Sequence, residues 1–254
     1  MINMVNIIVS GINGRMGRAI EEMCKASDKY TIIGGVDVTL GIPHEFPTVS
    51  DINELSGKAD AIIDFSHHSA SKALCDYAVK TVTPVIFCTT GYTEDELAII
   101  KEASEKVAVF RSGNMSLGIN LLIELSKKAA EILEGFDIEI IEQHHNQKLD
   151  APSGTALMIA DGIKSVREKS EYVYDRTQVR QKRAQNEVGI HSVRGGSIVG
   201  EHEVLFAGRN ENITLRHSAL SREVFADGAL KAAEYIKGKK AGMYNMGNVL
   251  EGLI

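Results

Sequence analysis

The 254-residue chain has few cysteines, no long apolar run and no excess of positive charge. Its three cysteines are odd in number and form no Cys-x-x-Cys pair, which argues against a disulfide framework and favours reduced thiols. No apolar run approaches the about 18 residues that cross a membrane, and no secretory signal pattern is present. The net charge of −6 disfavours a nucleic-acid-binding surface. We therefore expect a cytoplasmic protein with neither nucleic acid nor membrane as a partner.

The first half of the chain alternates strand-like with helix-like segments. Helical spacing of apolar residues occurs between the apolar runs, and Thr93 and Glu96 stand at capping-box spacing before one helix. Such alternation predicts a parallel sheet with helices on both faces. The predicted strands are 5–10, 31–36, 59–65, 84–89 and 107–110, and the predicted helices are 15–25, 70–82 and 93–106.

After residue 114 the rhythm changes. The strand patterns cluster, and glycine-containing links join the last three of them, which predicts antiparallel pairing of neighbours. The predicted strands are 138–141, 188–194, 199–206 and 213–217, the predicted helices are 117–133, 154–166 and 221–237, and 243–250 closes the chain. The polar stretch 167–186 is the nearest thing to a linker. The fold class is therefore α/β, with a second domain that is α+β around a mixed, partly antiparallel sheet.

A glycine-rich turn at residues 11–17 follows the first strand and opens the first helix. Its G-x-x-G-x-x-G pattern allows a tight turn and close approach to a pyrophosphate at the helix N-terminus, although such turns also serve strand–helix packing. Asp37 ends the second strand, twenty residues after Gly17, where a carboxylate accepts hydrogen bonds from an adenosine ribose. Because Asp37 would repel a 2′-phosphate and Val38 follows it, the sequence favours NADH over NADPH.

A loop with titratable side chains lies at the centre of residues 142–155. Imidazoles titrate near physiological pH and suit general acid catalysis, and a lysine adds a cation. The helix start that follows offers hydroxyl and backbone N–H groups to a carboxylate. The sequence therefore predicts a small carboxylic acid as substrate. The residues concerned are His144, His145 and Lys148 on the loop, and Ser153, Gly154 and Thr155 at the helix start.

Other interpretations of this loop are weaker. No His-Glu-x-x-His motif or nearby cysteine accompanies the histidines, so no metal is expected. Ser153 lacks the Gly-x-Ser-x-Gly elbow of an acyl-transfer nucleophile. The pair His67-His68 has no lysine four residues later and is interpreted as surface.

Residues 142–155 resemble the E-x-H-H-x-x-K-x-D-A-P-S-G-T signature of the 4-hydroxy-tetrahydrodipicolinate reductase (dihydrodipicolinate reductase) family. Residues 9–17 are similar to its A-G-x-x-G-R-M-G nucleotide loop, and 194–202 to its R-x-G-x-x-x-G-x-H stretch. Residues 222–228 are similar to its late R-x-x-F-A-x-G-A segment. The resemblance covers essentially the whole chain, and the first of these motifs is the specific one.

The resemblance implies an NAD(P)H-dependent oxidoreductase of lysine and diaminopimelate biosynthesis that reduces 4-hydroxy-tetrahydrodipicolinate, a small dicarboxylate, to tetrahydrodipicolinate. Its N-terminal domain would be of Rossmann type, with residues 1–115 and 226–254 binding the dinucleotide and 116–225 binding substrate and forming a homotetramer. A Rossmann dehydrogenase of another small acid, with Cys88 as a candidate nucleophile, and an NAD-sensing module without turnover stay open as alternatives.

The resemblance also assigns roles to individual residues. His144 and Lys148 would be the catalytic proton donors, and His145, Gly154 and Thr155 would bind substrate. Ser153 joins the substrate-binding residues because of its place at the helix start. The family usually has glycine where this chain has Cys88, and the segment 110–115 is one residue longer than usual. The expected cofactor-binding residues are Gly11, Ile12, Asn13, Gly14, Arg15, Met16, Asp37, Cys88, Thr89, Thr90, Ser112, Gly113, Asn114 and Met115.

Overall fold

The computed structural model describes residues 4–253, which form two compact units. The first holds the described residues up to Ser116 together with those from Glu223 onward, and the second holds Leu117–Arg222. The helices and strands, in chain order, are β1 (Val5–Ser10), α1 (Arg15–Lys25), β2 (Tyr30–Val36), β3 (Thr48–Val49), β4 (Ala61–Asp64), α2 (Ser71–Thr81), β5 (Val85–Phe87), α3 (Glu94–Ser104), β6 (Ala108–Arg111), α4 (Leu117–Ile132), β7 (Asp137–His144), α5 (Gly154–Val166), β8 (Glu171–Val173), β9 (Glu187–Arg194), β10 (Gly200–Ala207), β11 (Asn212–Ala219), α6 (Glu223–Ile236), β12 (Gly242–Tyr244) and α7 (Met246–Glu251).

The first unit is built on a seven-stranded sheet in the order β12-β6-β5-β4-β1-β2-β3, in which every pairing is parallel. Strands β4 and β5 are buried along their whole length, as continuous apolar runs in a parallel sheet should be. The predicted parallel, Rossmann-type sheet is confirmed. Ser10, Asp64 and Phe87 lie side by side in the register, so the loops after β1, β4 and β5 leave the same edge of the sheet.

The second unit is built on a five-stranded mixed sheet in the order β11-β10-β7-β9-β8, which confirms the predicted mixed sheet. Strand β10 pairs antiparallel with both β7 and β11, whereas β9 pairs parallel with β7 and β8. Buried and half-buried residues alternate along β7, and its buried Ile138 and Ile140 join a core cluster with α4 and α5 residues.

The antiparallel prediction holds for β10 with β11 and is wrong for β9 with β10. These two strands follow each other in sequence across Gly195 and Gly196, but β7 lies between them in the sheet. The first half of β9 is fully buried, which suits an interior place between β7 and β8 and not the edge of a hairpin.

Residues 167–186 do not form a linker. They include β8, and Arg183, near the end of this segment, forms hydrogen bonds to β7. The Arg183 guanidinium donates to the carboxylates of Asp137 and Glu139 at 2.9 and 3.0 Å and to the carbonyl of Ile138 at 2.9 Å. The charges in this segment therefore serve tertiary hydrogen bonds.

One strand is longer than predicted, and the closing segment, to which the sequence assigned no structure, forms regular elements. Strand β7 continues three residues beyond the predicted end at 141, so His144 is the last residue of a strand and not part of a loop. The closing segment 243–250 is a short strand followed by helix α7, which Asn245 caps. No helix within residues 4–253 has the length and apolarity needed to cross a membrane.

Candidate active site

The glycine-rich turn after β1 is closely packed against its neighbours. Gly11 has a φ of +78°, and a Cβ there would stand 2.8 Å from the Phe65 carbonyl oxygen. A Cβ on Gly17 would stand 2.3 Å from the Gly11 carbonyl oxygen, so α1 can approach the turn only with glycine at this position. Gly14 is the N-cap of α1 and adds no side-chain hydrogen bond there, so no side chain at the N-cap competes with a ligand for the first-turn N–H groups at the positive end of the helix.

A cleft of about 620 Å³ borders this turn, and Gly11, Asn13, Gly14 and Asp37 line it. The Asp37 carboxylate accepts hydrogen bonds from the Asn13 and Thr39 N–H groups, each at 2.9 Å. The carboxylate is thereby fixed at the wall of the cleft, with oxygen lone pairs left for further donors. His67, which the sequence analysis treats as surface, also lines this cleft.

The other predicted cofactor residues fall into two groups. Those with buried side chains are Ile12 and Met115, which can offer only backbone atoms to a ligand. The remaining ones lie at the carboxyl edge of the sheet, where parallel sheets bind ligands. They are Cys88, Thr89 and Thr90 after β5, and Ser112, Gly113 and Asn114 after β6. In the segment after β6, the Ser112 hydroxyl donates to the Asn114 carbonyl at 2.8 Å, and the Asn114 side chain accepts from the Ser116 N–H at 2.8 Å.

Asp64 is a buried carboxyl that the sequence analysis missed. It accepts from the Thr89 hydroxyl at 3.1 Å and from the Ser66 hydroxyl and N–H at 2.5 and 3.1 Å. It thus joins the loops that follow β4 and β5. Burial raises the pKa of Asp64, although these hydrogen bonds act in the opposite direction. Its position as the last residue of an apolar strand was the signal in the sequence.

Cys88 is a half-buried thiol near the buried carboxyl of Asp64. Burial, followed by the nearby Asp64, raises the pKa of Cys88 well above its ordinary value of 9.0. Because the thiolate is the reactive form, this environment argues against the alternative of a dehydrogenase with a nucleophilic cysteine.

Glu142 and His144 lie on the same face of β7, two residues apart. The Nδ1 atom of His144 lies 2.6 Å from Oε2 of Glu142, whose side chain is fully buried. Arg194, which pairs with His144 in the β7–β9 register, donates to both oxygens of Glu142 at 2.7 and 2.8 Å. The Ser153 N–H also donates to Glu142, at 3.1 Å.

The pKa of Glu142 is held well below its usual range. Burial alone would raise it, and the hydrogen bonds from His144 and Arg194 outweigh that effect. Glu142 is therefore an ionised acceptor at neutral pH, joining the end of β7 to β9 and to the start of α5.

His202 completes the cluster from β10, opposite Glu142 in the β7–β10 register. Its ring meets that of His144 edge to face, with centroids 5.2 Å apart. Ser153 Oγ accepts from the Ala156 N–H at 3.1 Å and lies within hydrogen-bond distance of His202 Nε2, at 3.2 Å. Burial, followed by the charge of His144, lowers the pKa of His202 to about 4. His202 is therefore neutral at physiological pH.

The structure gives the predicted substrate residues different surroundings. Ser153 is buried and serves as the N-cap of α5, whereas Gly154 is exposed and His145 is half-buried. The Lys148 ammonium lies 2.8 Å from an oxygen of Asp150, and the hydrogen bond from Lys148 lowers the pKa of Asp150. The Gly154 N–H also bonds Asp150, so this helix start already holds a carboxylate beside a lysine.

Among residues 4–253 no group of three or more His, Cys, Asp or Glu side chains could hold a metal ion. In the second unit, an imidazole, an ionised carboxylate and a neutral histidine are brought together by β7, β9, β10 and the start of α5. Glu142, Arg194 and His202 received no role from the sequence analysis. The signal for Glu142 was its spacing of two from His144 within a strand.

Comparisons with known proteins assign the chain to a family. The family model described as "Dihydrodipicolinate reductase, N-terminus" matches residues 5–115, and that described as "Dihydrodipicolinate reductase, C-terminus" matches 118–250. The 4-hydroxy-tetrahydrodipicolinate reductase of Caldanaerobacter subterraneus is 53% identical over 98% of this chain and 99% of its own. That of Clostridium tetani is 49% identical over 96% of each chain.

A solved structure shows the same fold. The dipicolinate-bound dihydrodipicolinate reductase from Paenisporosarcina sp. TG-14 superposes with a TM-score of 0.83 at 24% identity, over 96% of this chain and 99% of its own. The family models together span nearly all of the described chain. The chain therefore belongs to the dihydrodipicolinate reductase family.

Proposed function

We propose that this chain reduces 4-hydroxy-tetrahydrodipicolinate to tetrahydrodipicolinate with NADH, using His144 and Lys148 as proton donors. Family membership makes it an NAD(P)H-dependent oxidoreductase of lysine and diaminopimelate biosynthesis. The observation that carries the assignment of roles is the buried Glu142–His144 pair at the end of β7, which is hydrogen-bonded to the start of α5, where a carboxylate is held.

The proton chemistry follows from the substrate. Loss of water from 4-hydroxy-tetrahydrodipicolinate gives a cyclic α,β-unsaturated imine. Reduced nicotinamide, when bound, supplies the hydride that C4 of this ring accepts. Negative charge then develops on the ring, and C3 takes one proton from the His144 imidazolium or the Lys148 ammonium. A positioned general acid contributes about 10²- to 10⁴-fold to the rate.

Lys148 and the start of α5 support binding of the substrate carboxylates. Asp150 now receives the Lys148 ammonium and the Gly154 N–H, which are the groups that a substrate carboxylate would use. A bound substrate carboxylate would take the place of the Asp150 side chain, which is more than half exposed and can turn to water. Such an exchange would leave Lys148 next to the substrate.

The residues of the first unit fit a dinucleotide. The Arg15 and Met16 N–H groups at the start of α1 suit a pyrophosphate, and the close contacts of Gly11 and Gly17 keep the turn free of side chains. The fixed Asp37 carboxylate suits the hydroxyls of an adenosine ribose and would repel a 2′-phosphate. We therefore propose a preference for NADH over NADPH.

The preference is tested by Asp37→Asn, which keeps the size of the side chain and removes its charge. The ratio of kcat/KM for NADH to that for NADPH should fall about tenfold or more, because a like-charge repulsion of about 1.4 kcal/mol disappears. An unchanged ratio would show that Asp37 does not select the cofactor.

The catalytic assignment is tested by the loss of absorbance at 340 nm with freshly prepared substrate. His144→Gln and Lys148→Ala should each lower kcat at least about 10²-fold. The matched control is His191→Gln, since His191 also bonds a glutamate of β7 but lies at Glu139. Near-full turnover by either catalytic variant would refute its role. An NAD-sensing module would bind NADH without turnover, and another dehydrogenase would turn over other acids instead.

We also propose that the unit up to Ser116 with Glu223 onward binds the dinucleotide, and that Leu117–Arg222 binds substrate and forms a homotetramer through its sheet. Strand β11 is at the edge of that sheet and is largely exposed, and Leu220 follows it at 89% exposure. Light scattering during size-exclusion chromatography should give four times the mass of the 27.7 kDa chain, and a monomeric mass would contradict the assembly.

A further inference from the structure

We propose that Glu142 is a positioning residue for His144: it fixes one ring hydrogen on Nδ1 and leaves Nε2 as the atom that carries the reacting proton. This inference rests on the proposed function, in which His144 is a proton donor. It concerns how the imidazole is oriented and charged, which the family assignment leaves open.

The tautomer follows from the acceptor. A carboxylate can only accept, so a ring nitrogen 2.6 Å from Glu142 Oε2 must carry hydrogen whether the imidazole is neutral or charged. Proton exchange is thereby confined to Nε2. A Cβ on Gly200 would stand 3.2 Å from that Nε2, so a larger residue there would crowd the nitrogen that reacts.

The charge of Glu142 is secured by groups on two other elements. Arg194 on β9 donates to both carboxylate oxygens, and the Ser153 N–H at the start of α5 donates to Oε1. Arg194 is itself held by the Asp150 carbonyl at 2.6 Å. An anion buried this completely needs such partners, because an unpaired charge in a protein interior is costly.

The consequence for the reaction is electrostatic. Before transfer the imidazole is a cation, and after Nε2 gives its proton to C3 the ring is neutral and keeps its Nδ1 hydrogen. Glu142 stabilises the cation and prevents the ring from turning. In Glu142→Gln, the amide oxygen can keep accepting from Arg194 or from the Ser153 N–H. The amide N–H₂ group then faces Nδ1 of His144. The ring would then carry hydrogen on Nε2 in its neutral form, and that form is a poor acid because it would leave an imidazolate.

The chain contains a matched control on the same strand. Glu139 of β7 also bonds a histidine and an arginine, with His191 at 2.8 Å and Arg183 at 3.0 Å. Its side chain is 22% exposed, whereas that of Glu142 is fully buried. Glu139→Gln therefore makes the same chemical change in a comparable triad outside the proposed site.

The first experiment compares the steady-state kinetics of the two variants. Glu142→Gln should lower kcat about 10²-fold or more, while KM for substrate changes less than about threefold. Glu139→Gln should keep kcat within about twofold of wild type. Equal effects of the two variants, or an effect of Glu142→Gln confined to KM, would overturn the inference.

A double-mutant cycle shows whether Glu142 acts through His144. In a His144→Gln background, Glu142→Gln should cost no further activity, because the group it positions is gone. A second loss of about 10²-fold in that background would overturn the inference. Near-full turnover by His144→Gln alone would instead overturn the proposed function, and the inference with it. Loss of activity with His144→Gln but not with Glu142→Gln would overturn the inference alone.

The tautomer can also be measured without any change at Glu142. Wild-type protein labelled with ¹⁵N-histidine should show the neutral His144 ring with its hydrogen on Nδ1, the signal being assigned by its loss in His144→Gln. Should Glu142→Gln fail to fold, this spectrum decides the question. A neutral ring with its hydrogen on Nε2 would overturn the inference.

Discussion

The buried imidazole of His202 predicts a specific loss of stability in mild acid. His202 is only 4% exposed, and burial lowers its pKa from an ordinary 6.5 to about 4. In the unfolded chain the same ring takes a proton near pH 6.5, whereas the folded protein takes it near pH 4. Between these values the unfolded state binds more protons, so the free energy of unfolding falls as the pH falls. The stabilisation is complete above pH 6.5 and lost towards pH 4.

The size of the effect follows from the shift. Each pKa unit corresponds to about 1.4 kcal/mol, so His202 contributes about 3 kcal/mol that is present at pH 7 and largely lost at pH 4. The free energy of unfolding of a typical protein is about 5–15 kcal/mol, so this contribution is about a third of a mid-range value.

The assay is urea unfolding followed by circular dichroism between pH 4 and pH 7, at one protein concentration because assembly shifts apparent stability. The comparison is His202→Gln, which does not titrate and whose side-chain amide can still hydrogen-bond the Ser153 hydroxyl. Wild type should lose about 3 kcal/mol more than the variant over this range. The protonation of Glu142 acts on both proteins and cancels. Parallel curves would refute the claim that His202 is neutral because it is buried.

Two further predictions concern packing and the polar segment. Gly17→Ala should destabilise the protein by about 1–3 kcal/mol and weaken NADH binding, because its Cβ would lie 2.3 Å from the Gly11 carbonyl oxygen. Gly135→Ala is the control, since a Cβ there has open space within the described structure, and equal thermal shifts of the two variants would contradict the packing argument. Arg183→Ala should lower the free energy of unfolding by about 2–3 kcal/mol in the same urea assay, through loss of its charged hydrogen bonds. Arg216→Ala, whose side chain is 57% exposed, should cost under about 1 kcal/mol, and a similar cost for both arginines would be contrary to this account.

Local pattern was sufficient for much of the secondary structure. Strand β1 and helices α1 and α5 begin and end at the predicted residues. The capping box at Thr93 and Glu96 is formed as predicted. These features depend on residues close together in sequence, whose periodicity and capping chemistry are visible there.

Pairing between segments that are far apart in the sequence was predicted less well. The predicted β7 ended at 141 because Glu142 and His144 are polar, yet both are buried in the strand. Their burial is tolerable because Arg194 supplies a compensating charge from 52 residues away. The insertion of β7 between β9 and β10 likewise depends on burial in the whole sheet and not on the glycines that link those two strands.

The sequence by itself determined the family, through a fourteen-residue motif, and the parallel character of the first sheet, through its alternating pattern. Only the tertiary structure decided the partners of the proposed proton donor. Strand register sets His144 beside Arg194 and Glu142 opposite His202, and the start of α5 brings Ser153 to both Glu142 and His202. The physical reason is that a buried charge is stable only with its hydrogen-bond partners, and here those partners come from strands far apart in the sequence.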